Sequence, residues 1–134
     1  MKKLYIILIL VSAFGCKKQI EEQQQNIIIQ AMTTGEWKVT SYIKGGTDVT
    51  SDFSPYKFRF KTDFSVDAVN NTTVEKTGSW NADATARTIT SEFTNATNPL
   101  ILLNGIWNIS NNSWTWVEAY QNNGTETRTL RLDK

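Results

Sequence analysis

Histidine is absent from the 134 residues, cysteine occurs once and proline twice. The first absence removes the commonest general base and the commonest metal ligand, and a lone thiol excludes an intrachain disulfide and any Cys–His nucleophile. An all-oxygen Ca²⁺ site is the metal option that survives, and no Asp-X-Asp-X-Asp loop is present. Gly45-Gly46 and Gly105 show no phosphate-loop spacing. Charge of one sign is missing too: 14 basic against 13 acidic side chains leave a formal +1, with no excess to attract nucleic acid, a basic partner or an anionic membrane. The expectation is a protein that is not an enzyme and has no catalytic residues, cofactor, metal or nucleic-acid partner. What the chain does have is 40% hydrophobic residues and 11% aromatics, enough for one compact core.

No apolar run reaches the roughly 20 residues that span a bilayer. The N-terminus instead carries Lys2-Lys3, an apolar stretch from Leu4 to Val11 broken by Tyr5, and small residues before Cys16. This is the layout of a secretory signal, and the only cysteine stands at its cleavage point. Gly15-Cys16 resembles the bacterial lipoprotein signal, in which the cysteine is acylated and becomes the mature N-terminus; Ala13 stands where that signal usually has Leu. The alternative is an ordinary signal peptide with an incidental Cys. The lipoprotein reading divides the chain into a signal peptide (1–15), a polar tether (16–26) and a domain (27–134). Three acyl chains, a palmitate-type modification at about 0.8 kcal/mol per buried methylene, make an essentially permanent anchor. The expected location is the bacterial cell envelope, on the outer membrane, with the domain extracytoplasmic.

Ile27, Ile28, Ala31 and Met32 recur at helical spacing and Gly35 is a natural stop, so a short helix is predicted from about Ile20 to Thr33. Lys17 to Asn26 suits either a solvated tether or that helix's exposed face. Beyond Gly35 the chain is rich in Thr, Asn and aromatics and alternates in polarity between turn residues, the pattern of antiparallel strands with one wet face. Eight runs are marked: 36–44, 56–61, 64–69, 74–81, 87–93, 102–110, 113–120 and 125–133. Short connections make a meander, and eight strands in a meander close into an up-and-down barrel. An open half-barrel or a sandwich is the rival.

Turn chemistry suggests registers. A turn at Lys61-Thr62-Asp63, with Asp63 left-handed, sets Phe60 opposite Phe64 and Phe58 opposite Val66. Asn111-Asn112 as a two-residue turn sets Ile109 opposite Trp114 and Trp107 opposite Trp116. A three-residue loop at Asn122-Asn123-Gly124 sets Trp116 beside Leu130, Trp114 beside Leu132 and Glu118 beside Arg128, and it is chosen because other lengths turn the leucines outward if the tryptophans are inside.

Gly35-Glu36-Trp37 opens the first strand directly after the helix, and the strands are eight in all. Here the chain resembles the lipocalins, and more closely the compact bacterial lipocalin-like lipoproteins. The resemblance, over about residues 27–134, implies an all-β, eight-stranded antiparallel barrel with a short N-terminal helix across its closed end. It also implies that Trp37 packs under the calyx, covered by an Arg of the last strand. Gly35 and Trp37 carry over directly. Arg128 faces inward but lies near the hairpin end, and Arg131 has the right strand and, in that register, the wrong face.

The expected inward aromatics are Trp37, Tyr56, Phe58, Phe60, Phe64, Trp80, Phe93, Trp107, Trp114 and Trp116, which either fill the barrel or, near one end, line an apolar cup. Leu100 to Leu103 either guards that mouth or begins a buried strand. Glu118 is expected inside with Arg128, as a structural ion pair or as a ligand-reading pair; the other carboxylates, Asp67 among them, are expected on solvated faces. Candidate ligand contacts are Phe58, Phe60, Trp80, Trp107, Trp116, Glu118 and Arg128. The first functional expectation is a small hydrophobic ligand held in the barrel, which requires a cavity of a few hundred Å³. The second is an interaction or envelope-assembly module with a filled barrel, touching its partner through loops 45–55 and 94–102. If Cys16 carries the anchor, Cys16→Ala releases the protein into the soluble fraction on cell fractionation, whereas unchanged membrane association would refute the lipoprotein reading.

Overall fold

The structure is a computed structural model that describes residues 19–134; the expected signal peptide and Cys16 lie outside the described residues. Helix α1 covers residues 19–33, in agreement with the helix predicted from about Ile20 to Thr33, and the polar stretch from 19 to 26 belongs to it. Nine strands follow in place of the expected eight: β1 (Lys38–Lys44), β2 (Thr47–Asp48), β3 (Tyr56–Phe60), β4 (Ser65–Asn70), β5 (Thr73–Asp83), β6 (Thr88–Glu92), β7 (Gly105–Asn112), β8 (Trp116–Asn123) and β9 (Glu126–Asp133). The additional strand is β2, a two-residue hairpin arm on β1. Among the described residues, no helix is long and apolar enough to cross a membrane.

All nine strands belong to one antiparallel sheet in the order β2-β1-β9-β8-β7-β6-β5-β4-β3. The sheet curls until its ends touch, but no full ladder closes it. Trp37, just before β1, exchanges one pair of backbone hydrogen bonds with Phe58 of β3, at 2.9 and 2.8 Å. The expected closed barrel is therefore an open one, fastened at a single bridge. A 3₁₀ turn at Thr50–Phe53 lies along the seam and turns Phe53 inward against Tyr42, with ring centroids 5.3 Å apart.

Each end of the curl is stopped by a different device. At one end α1 packs Met32 into the core and halts at Gly35, whose φ of +80° is left-handed and suits glycine. At the other end the chain between β6 and β7 folds back as a 3₁₀ turn, Leu100–Leu103, and buries three leucines in the mouth. A plug of this kind carries backbone carbonyls into an apolar interior, where each requires a donor. Tyr42 Oη donates to Leu102 O at 2.6 Å, Trp107 Nε1 to Leu103 O at 2.9 Å and Gln121 Nε2 to Asn104 O at 3.3 Å. Leu100 to Leu103 is thus the guard of the mouth, and β7 starts only at Gly105.

The hairpin registers depart from expectation in instructive ways. At β3–β4 the turn is Lys61–Phe64, the left-handed residue is Phe64 (φ 65°), and Phe60 faces Val66. The slip is by two residues, so both apolar sets still share one face. Asp63 shapes this turn by accepting from Ser65 N and Oγ at 2.9 and 2.6 Å. At β7–β8 the turn is 113–115, closed by Ser113 N donating to Trp116 O at 2.9 Å, with a bulge between Ile109 and Asn111. Trp107 consequently does not face Trp116; Trp114 sits at the tip, 55% exposed. At β8–β9 a two-residue loop, Gly124-Thr125, pairs Asn123 with Glu126, so Glu118 faces Arg131 and Trp116 faces Asp133. Leu130 and Leu132 stay buried nonetheless, because Val117 and Ala119, not Trp116 and Glu118, are the inward residues of β8.

A second bulge explains a core residue that alternation alone puts outside. Between Val39 and Ser41 the β1–β9 ladder skips Thr40, so Trp37, Val39 and Tyr42 all point inward. Outside the curl, Asp67 is buried rather than solvated: it pairs with Lys61 Nζ at 2.7 Å and accepts from Thr77 Oγ1 at 2.8 Å. These contacts, the Lys61 bond foremost, hold its carboxyl below the usual range. Its stabilisation is present above the unfolded carboxyl pKa and is lost as pH falls through the folded value. Asp67→Asn is therefore expected to lower the urea midpoint at pH 7, with the gap from wild type narrowing below pH 4. Gly78 marks a close approach, since a Cβ there would stand 2.4 Å from Glu92 O and 2.8 Å from Phe93 Cδ1. Gly78→Ala is expected to cost about 1–3 kcal/mol in the same denaturation measurement, as overpacking against backbone does.

Candidate binding site

The centre of the curl is filled. Phe58, Phe60, Phe93 and Trp107 interlock there with Val66, Leu103 and Leu132, and the space that remains is about 40 Å³. A water molecule's share of liquid volume is about 30 Å³, and small-molecule sites run to several hundred. No organic ligand of ordinary size fits inside, so the expected cavity of a few hundred Å³ at the barrel centre is not there.

A larger space opens beside it. Between α1 and the rim formed by the β5–β6 and β7–β8 turns runs a groove of about 400 Å³. Ile27, Ile28 and Ala31 of the helix make one wall, and Trp37, Ile89 and Val117 the floor. Met32, Ile89, Ile109 and Val117 border both the groove and the small inner void, so the two spaces adjoin. Polar groups, Gln24, Arg87, Thr88, Asn112 and Ser113, line it as well. The groove exists because the apolar stripe of α1 is wider than its contact with the sheet: Met32 is buried, Ile28 and Ile29 are half-buried and Ile27 is exposed.

Backbone and side-chain hydrogen bonds hold both walls in place. Gln25 Nε2 donates to Ala82 O at 2.5 Å and its Oε1 accepts from Ala84 N at 2.9 Å, which latches α1 to the β5–β6 turn. Asp83 Oδ1 accepts from Ala86 N at 3.0 Å, and Arg87 O accepts from Ile109 N at 2.9 Å. Trp37 Nε1 donates to Met32 O at 2.9 Å and so satisfies a carbonyl of the last helical turn. Lys134 Nζ lies 4.9 Å from the centre of the Trp37 ring, so the cation over this tryptophan comes from Lys134 and not from Arg128 or Arg131.

The residues expected to meet a ligand are scattered. Phe58, Phe60 and Trp107 do line the inner void. Trp80 is buried edge-on against Phe60 under the β3–β4 turn, its Nε1 donating to Lys61 O at 2.9 Å. Trp116 and Glu118 are on the outer face, where Arg131 covers the Trp116 ring at 4.8 Å and binds Glu118 at 2.7 Å and Asp133 at 2.9 Å. Arg128 does face inward, yet its partner is Glu126 at 2.7 Å, not Glu118. Phe64 and Trp114 are exposed rather than inward, while Tyr42 and Phe53 join the core unannounced. Arg87 and the isoleucines of the groove were not singled out as ligand contacts; the helical spacing of Ile27, Ile28 and Ala31 was the one signal pointing to them.

No protein-family model and no curated protein matches the sequence. What the fold defines is a class: small all-β proteins built on one curled antiparallel sheet. Among solved structures, a DUF4847 family protein from Bacteroides vulgatus shares it, with a TM-score of 0.56 at 14% identity, covering 79% of this chain and 96% of that one. At that identity the likeness is one of fold.

The mouth plug sets a pH limit on the fold. Tyr42 is fully buried, and burial pushes its phenol up to about 12, with the nearby Arg128 opposing the rise. An unfolded tyrosine ionises near pH 10, so this stabilisation is complete below pH 10 and disappears as pH climbs through about 12. Tyr42→Phe, which leaves Leu102 O without its donor, is expected to cost about 1–2 kcal/mol at pH 7. The variant is also expected to show a flatter loss of stability than wild type between pH 9.5 and 11.5, read by urea denaturation.

Proposed function

We propose that this is a non-enzymatic binding protein of lipocalin-like build, anchored through an acylated Cys16 to the bacterial outer membrane and holding a small apolar ligand between α1 and the sheet. The observation that carries the reading is the apolar groove of about 400 Å³, within the size range of small-molecule sites, beside a core that is already full. The interior aromatics serve as the rigid floor on which the groove rests. Two residues lie between Cys16 and residue 19, a reach over three steps of at most about 11 Å, so an acylated Cys16 would keep α1 close to the lipid surface.

One observation favours a second reading, an interaction module. In loop 94–102, Ile101 projects 45% exposed from the mouth plug over the filled core. The other loop considered for contact, 45–55, turns its Phe53 inward and shows Thr47 and Asp48 outside. The two readings part on one experiment. Native mass spectrometry of the protein from its own host is expected to show a retained small molecule. Ala31→Trp, which places an indole in the groove, should lose that molecule and abolish binding of the neutral probe N-phenyl-1-naphthylamine with the thermal midpoint preserved. A protein that carries nothing and ignores the probe would leave the interaction reading in its place.

A further inference from the structure

We infer that the groove selects a single-chain alkyl carboxylate, with Arg87 receiving the carboxylate at the rim; this rests on the groove reading above. Arg87 is exposed at the groove and, among the described residues, makes no ion pair, whereas Arg59, Arg128 and Arg131 are each matched to a carboxylate. Its main chain is fixed although its side chain is exposed. Its backbone takes the left-handed conformation (φ 57°), and its carbonyl is tied to Ile109 N across the β6–β7 edge. The preceding turn is pinned by Asp83 from within and by Gln25 from the helix. A non-glycine residue in that conformation is uncommon, and the surrounding hydrogen bonds hold it there.

The lining matches an amphiphile with one charged end. Isoleucines, Ala31 and Val117 supply an apolar surface along which an alkyl chain can lie, bounded on the core side by Ile89 and Ile109. Thr88, Asn112 and Ser113 add neutral hydrogen-bonding groups, and Arg87 is the one charged residue in the lining. Its planar guanidinium can receive a carboxylate through two parallel N–H bonds. A neutral alcohol of the same chain length would gain the apolar contacts and forgo that pair. A cationic amphiphile would meet repulsion.

The test is calorimetric titration of the full chain, held in nanodiscs, with decanoate, decanol and decylammonium, using empty nanodiscs as the blank. Decanoate is expected to bind roughly fivefold tighter than decanol, the worth of one solvent-screened ion pair, with the preference shrinking as salt rises and decylammonium weakest. Arg87→Gln should erase the preference, bringing the decanoate and decanol affinities together; Arg87→Lys should restore part of it. If decanoate and decanol bind equally well, or if the preference survives Arg87→Gln, the carboxylate assignment is overturned while the groove reading stands. If none of the three binds above the blank, the groove reading itself is overturned.

Discussion

Trp37 exchanges both of its backbone hydrogen bonds with Phe58, gives its indole proton to the end of α1 and lies beneath the ammonium of Lys134 at the other terminus. It is also completely buried. One residue thereby fixes the closure of the sheet, the docking of the helix and the seating of the chain's last residue. The bridge it makes with Phe58 is the sole ladder step between the two ends of the sheet among the described residues. A curled sheet with one fastening needs its seam covered elsewhere, and Phe53 against Tyr42 does that farther along β1. Gly35 belongs to the same constraint, because the chain must leave the helix in a left-handed turn for Trp37 to arrive on β3.

From that closure follows the division between a full centre and an open flank. Aromatic rings on neighbouring strands meet at edge-on or stacked geometries, as Phe60 with Trp80 at 5.4 Å and Tyr42 with Trp107 at 5.8 Å. Rings so arranged in a narrow curl leave room for about one water. The helix cannot enter a filled interior, so it lies across the rim with part of its apolar stripe uncovered. The groove is thus the geometric remainder of a helix set over a solid end.

How much of this was legible in the residues depends on where a ladder runs evenly. Alternation in 56–60 and 64–68 places Phe58, Phe60 and Val66 on one inner face, and a register difference of two leaves that face intact. The helical spacing of Ile27, Ile28, Ala31 and Met32, with Gly35 as the stop, marks α1 to within a residue of its observed bounds, and the polar residues from 19 onward belong to it. On β8 the assumption that large aromatics belong inside reversed the whole strand: Trp116 is outside beneath Arg131, and the small residues Val117 and Ala119 occupy the crowded interior. Volume decided that choice, since facing strands already supply Trp107, Leu130 and Leu132. Tyr42 was missed because a bulge at Thr40 changes the phase of β1 midway, and nothing in the local composition marks a bulge. The groove lay further out of reach, being made by an uncovered helical stripe and a turn distant in sequence. A heptad-like run announces a buried face, but the extent of its burial is set by what the partner surface has left to offer.

The two ends of the curl differ in the kind of bond that must break to open them, and this decides which can exchange a ligand. Withdrawing the Leu100–Leu103 plug exposes three buried leucines and strips donors from the carbonyls of Leu102, Leu103 and Asn104. The donors left behind in the interior, Tyr42 Oη and Trp107 Nε1, each cost about 1–3 kcal/mol while unpaired, so the mouth stays shut on the scale of the protein's whole stability. At the helical end the groove already reaches solvent, and a chain can slide along it without breaking any protein hydrogen bond. Moving α1 further asks only for the two bonds of Gln25 and the contact of a partly exposed apolar stripe. A ligand in the proposed groove would therefore exchange at the helical end, and the leucine-plugged end keeps the aromatic centre rigid beneath it.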